Sequence, residues 1–92
     1  MSDNAFKDYR MLPVISEAWE LQRTGLVVIH EELYRLELWH SYSNLDIPYY
    51  VSIYTQQDGV WKRIPDPPFA TGHDGDQALR DAMVFLTERL AA

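Results

Sequence analysis

Cysteine is absent from the 92 residues. That removes disulfide frameworks and thiolate chemistry together. Long apolar stretches are absent too. Runs such as 26–29 fall far short of the ~20 residues that cross a bilayer. Residues 1–7 lack the basic-then-apolar order of a signal peptide. A cytoplasmic protein with no membrane association is the expectation. Basic residues are scarce: eight face fourteen acidic ones, for a net charge of −6. Neutralising a phosphate backbone needs the opposite balance, so nucleic acid is not an expected partner. The acids are scattered, with no block that would mark an acidic tail.

Signature motifs are missing as well. There is no phosphate-binding G-x-x-x-x-G-K-[ST], no G-x-G-x-x-G, no G-x-S-x-G and no H-E-x-x-H. His30-Glu31-Glu32 has no second histidine to complete a zinc motif. The expectation is therefore a non-enzyme, with no catalytic residue, cofactor or metal ligand to name.

What is present is an ordinary globular composition, 47% hydrophobic and 24% charged. Residues 1–92 make a single small domain, with 1–12 free to be a flexible N-terminal segment. The clearest pattern is at the C-terminal end. Leu79, Met83, Leu86 and Leu90 are spaced 4, 3 and 4 apart, with Ala82 beside them. At ~100° per residue they form one apolar stripe of an amphipathic helix. Asp81 and Glu88 fall on the opposite side. Asp74 suits the N-cap, and Gln77 can reach back to complete a capping box. Asp76 lies near the positive end of the helix dipole and forms a favourable i,i+4 pair with Arg80.

Before it, 49–56 and 60–64 read as strands joined at Asp58-Gly59, a pair suited to a type I′ turn. A two-residue loop sets Ile53 against Ile64 and Gln56 against Trp61. Tyr49, Val51, Ile53, Val60 and Ile64 then form a core face. Tyr50, Ser52, Tyr54, Gln56, Trp61 and Arg63 form the other. A third strand over 33–42 sends Tyr34, Leu36, Leu38, His40 and Tyr42 to the core. Its Leu33, Arg35, Glu37 and Trp39 face away. Segment 43–48 is the connecting turn, and Pro48 opens the next strand.

The first third is ambiguous. Ile15, Trp19, Gln22 and Leu26 have helical spacing, and Gly25 suits a C-terminal cap, so 13–24 reads as a helix followed by a strand at 26–30. A strand at 16–22 hairpinned to 26–30 competes with this, as does one helix running past residue 30. Glu31-Glu32 makes a poor turn, so 26–42 is open to being one bent strand with a bulge. Residues 65–73, rich in proline, read as an extended connection with Phe69 as its anchor.

These elements give an α+β fold: an antiparallel sheet of three to four strands packed against the C-terminal helix, with a short N-terminal helix. Three clusters could carry chemistry. His73, Asp74 and Asp76 gather at the helix start, where capping accounts for the carboxylates. His30 and His40 with Glu31, Glu32 and Glu37 could supply an acid–base pair, yet Glu37 and His40 lie on opposite faces. The aromatic sheet face is the third. Trp39, Tyr50, Tyr54 and Trp61, with Arg35 and Arg63, are the residue types that dominate interface hot spots. An N-terminal helix carrying Trp19 could equally cover that face.

The leading functional expectation is thus a non-enzymatic interaction or accessory module with a protein partner, including self-association as a homodimer. An acidic antagonist (an immunity protein, an antitoxin or a nucleic-acid mimic) is the first alternative. A small ligand-binding protein or enzyme using His30, His40 or His73 is the second.

Overall fold

Five strands and one helix account for most of the chain. The computed structural model describes residues 5–43, 46, 48–64 and 69–90. Strands β1 (Trp19–Ile29), β2 (Glu32–Ser41), β3 (Tyr49–Gln57) and β4 (Val60–Arg63) follow one another in sequence and in space, all antiparallel. Strand β5 (Phe69–Gly72) takes the stretch of β3 that β4 leaves open. Helix α1 (Gly75–Phe85) continues into a π-helical turn at Leu86–Leu90. The chain is α+β, as its patterning predicts.

The core lies between α1 and one sheet face. Tyr34, Leu36 and Leu38 of β2 and Val51 and Ile53 of β3 meet Ala78, Ala82 and Leu86 of the helix. Alternation along β2 and β3 is thereby as expected. The helix face is rotated from expectation. Ala78 and Ala82 are buried, and Met83 is 39% exposed. Small side chains let the helix axis approach the sheet, which pushes Met83 to the margin. Gly75 serves the same approach: a Cβ there would sit 3.0 Å from Leu38 Cδ2. The helix packs mainly on β2, β3 and β5 and reaches β1 through the Asp76–Arg23 ion pair.

The Asp58-Gly59 hairpin forms as the sequence predicts. Both residues have positive φ, 53° and 77°, and Gln56 faces Trp61. Ile64 N–H donates to Ile53 O at 2.8 Å, as the two-residue loop requires. Val60 joins the core side of the sheet but is 56% exposed, because it lies beside the turn and beyond the helix.

The first third differs most from expectation. Residues 13–24 are not a helix. The only N-terminal helix among the described residues is a 3₁₀ turn at Ala5–Met11, and β1 runs without a break from Trp19 to Ile29. Nor is 26–42 one strand. His30 and Glu31, at φ 51° and 66°, turn the chain back tightly into β2. The hairpin offers a full antiparallel ladder, and this outweighs the ~1–2 kcal/mol that each left-handed non-glycine residue costs. The disguise of β1 comes from a bulge. Its register slips between Leu21 and Arg23, so two residues oppose one. Trp19 and Leu21 before the slip therefore share a face with Thr24, Leu26 and Val28 after it. Strict alternation fails there, and the spacing imitates a helix. The proline-rich stretch 65–68 lies outside the described residues, as does the side chain of Phe69.

Candidate interaction surface

The sheet face turned away from α1 collects the aromatic residues. Strand alternation puts Trp39 on β2, Tyr50 and Tyr54 on β3 and Trp61 on β4 there. Cross-strand register brings them together. Trp39 faces Tyr50, and their rings lie nearly parallel, 9° apart, with centroids 6.3 Å apart. Arg35 faces Tyr54, and its guanidinium covers two rings, 4.4 Å from the Tyr54 centroid and 4.8 Å from that of Trp61. Such cation–π contacts contribute ~0.5–1 kcal/mol where exposed and more where water is excluded. Arg63 faces Tyr54 from the other side, on β4. By register all six residues singled out in the sequence stand on the sheet face turned away from α1.

Trp19 joins them from β1. Its ring meets Tyr50 edge-on with centroids 5.1 Å apart. Trp19 itself faces Ser41 of β2, whose small side chain lets the indole reach across to β3. The expected covering role for Trp19 is thus changed in kind. It extends the face as a strand residue instead of lying over it on a helix. Helix α1 packs on the opposite face of the sheet.

This surface is not plain solvated sheet. Ser41 is fully buried and Ser52 is 5% exposed, although both stand on the side turned away from α1. Burial also dominates at Tyr50, raising its phenol above the ordinary value of 10.0; Arg63 pulls the other way, while Tyr54 and Glu37 add to the rise. Arg35 Nε lies 3.5 Å from Glu37 Oε2, an ion pair with no hydrogen bond to that nitrogen. The cation is held by ring faces and one carboxylate, which leaves its remaining N–H groups for an incoming acceptor.

The histidine clusters do not assemble. His30 occupies the β1–β2 turn, and His40 lies near the far end of β2, about 26 Å along the strand at ~3.3 Å per residue. His40 packs against Tyr42 (4.4 Å) and Tyr49 (4.8 Å). Its Nδ1 is buried without a hydrogen-bond partner. Glu20, missed in the sequence, faces His40 across the ladder and accepts from Tyr42 Oη at 2.8 Å. Only the β1 register, hidden by the bulge, could have paired them.

At the helix start, Asp74 is the N-cap and accepts from Asp76 N and Gln77 N at 2.9 and 3.3 Å. A cap of this kind stabilises by ~1 kcal/mol. Gln77 does not reach back; it turns along the helix to Asp81 and Arg80. Asp76 pairs with Arg23 of β1 at 3.2 Å instead of with Arg80. His73 is exposed, and no group of three metal-ligating side chains exists among the described residues. No helix in that set is long and apolar enough to cross a membrane. The chain matches no family model, no curated protein and no solved structure at a significant level.

Proposed function

We propose that the protein is a non-enzymatic, cytoplasmic interaction module that binds a protein partner through the aromatic sheet face. One observation carries this reading. Four large aromatics and a ring-stacked arginine lie together on the side of the sheet that the helix does not cover. Rigid aromatic side chains bury large areas at little entropic cost, and Arg35 can add a bidentate anchor for a carboxylate.

Capture by immobilised protein from native lysate tests it. A specific partner is expected, lost at least tenfold in Trp39→Ala and Trp61→Ala while their circular dichroism stays native. Retention that both variants leave unchanged sinks the reading. The acidic-antagonist alternative rests on the net charge of −6. It requires a basic partner whose affinity falls steeply with salt. The aromatic-face reading expects a shallow salt dependence, so one titration separates them.

A further inference from the structure

Strand β1 is the one long edge of the sheet. Among the described residues, no strand pairs with its outer side. The opposite edge is shared by β4 and β5, four residues each. Edge strands usually carry charge, proline or irregularity that blocks further pairing. In β1 the bulge at 21–23 is one such device and the charge of Arg23, drawn to Asp76, is another; 23–29 is a regular ladder, with no charged residue over 24–29.

The hydrogen-bonding direction along 23–29 follows from the turn. A two-residue turn closes on a mutually bonded pair, here Ile29 and Glu32. Val27, Gly25 and Arg23 then bond to β2. Val28, Leu26 and Thr24 point their N–H and C=O groups outward. The side chains of these three stand on the aromatic face, where Leu26 is 61% and Val28 68% exposed.

We propose that a second copy of this chain occupies that edge, pairing β1 antiparallel with β1 of its partner about a two-fold axis at Leu26. Residue 26 is the midpoint of the regular segment, so this register overlaps all of 23–29 with itself. Leu26 meets its own copy, and Thr24 meets Val28 of the partner subunit, giving about six backbone hydrogen bonds at two per facing pair. On the helix side Gly25 meets Val27 of the partner subunit. The space where a Gly25 Cβ would stand is empty to 4 Å, which leaves room for the valine. A groove of about 260 Å³ lined by Gly25, Val27, Leu79 and Met83 adjoins the seam.

Charge and symmetry favour a like partner. No two ionised side chains of one sign are set opposite each other within 23–29. Arg23 faces Ile29 of the partner subunit, and its guanidinium stays on Asp76 of the same copy at 3.2 Å. An isologous pairing also uses up the edge in both copies and closes the assembly.

The contact is small. Seven residues give an edge ~23 Å long, over a sheet depth of ~10 Å. That falls well below the ~800 Å² per partner of a standard stable interface. The dimer is therefore weak and reversible, and it forms only as the concentration rises. The inference deepens the interaction-module reading by naming a second copy as one partner. It uses the β1 edge and not the aromatic cluster, so the two can fail separately.

Sedimentation equilibrium on the purified chain from about 1 µM to 1 mM tests it. A monomer–dimer equilibrium is expected. Leu26→Lys weakens it at least tenfold by opposing two cations on the axis, and Trp61→Ala leaves it unchanged. The chain has no cysteine, so a single one reports position cleanly. Bonded-pair Cα atoms ~5.5 Å apart lie within disulfide range. Mild oxidation of Leu26→Cys then gives a covalent dimer, and Val60→Cys, equally exposed on β4, does not. A monomer throughout, a dimer indifferent to Leu26→Lys, or equal cross-linking at 26 and 60 overturns the proposal. Partner capture that survives Leu26→Lys shows that the aromatic-face reading stands without it.

Discussion

Tyr50 sits at the centre of the aromatic face, between the ring of Trp39 and the edge of Trp19. Burial disfavours its phenolate, and Arg63 offsets this only in part. The sign of the linkage is fixed by that rise. The folded state holds the proton more tightly than the unfolded chain does. Stability from this group is complete below pH ~10 and declines as pH climbs from there through the raised folded value. Denaturant midpoints measured from pH 8 to 11.5 should therefore fall above pH 10 in the wild type. Tyr50→Phe, which has no proton to lose, should fall less steeply; parallel curves would refute the burial argument. At this scale the sequence was informative about direction and poor about partners. Period-two alternation placed Trp39, Tyr50, Tyr54 and Trp61 on one face. It could not show that Asp76 takes Arg23, 53 residues away, over the local Arg80.

Individual elements were legible where local chemistry names them. Asp58-Gly59 supplies a turn whose positive φ values suit those residues, and Asp74 supplies a cap. The β1–β2 turn uses His30 and Glu31, without the glycine or asparagine that most clearly signals positive φ. Its strain is borne by the long ladder on either side, a tertiary cause that no local window contains. The same strain can be relieved. Glu31→Gly should raise stability by about 1 kcal/mol, since glycine accepts φ 66° freely. For a domain of this size that is ~4–8 °C in Tm. An unchanged or lower Tm would mean that the Glu31 side chain contributes more than its backbone costs.

Over the whole molecule, one helix serves a sheet wider than it can cover. α1 packs mainly on β2, β3 and β5, which leaves the β1 side of the core face as a groove and the reverse face as an aromatic surface. Class, helix and most of the sheet were readable because they repeat one periodicity over many residues. The half-covered layout was not, because it depends on β1. There the one-residue slip near Gln22 breaks the period from which the strand would be recognised.

That slip has an evolutionary reading as well. In most strands, losing one residue inverts every side chain on one side of the gap. Gln22 is the surplus residue of the bulge, so its loss would leave Trp19, Leu21, Thr24, Leu26 and Val28 all facing as before. The chain should tolerate this deletion, with native circular dichroism. The cost would appear in solution behaviour. The straightened edge, shortened by one residue, would have lost the irregularity that limits pairing along it. Turbidity or thioflavin binding that rises in the deletion variant and not in the parent would mark Gln22 as a residue kept for solubility.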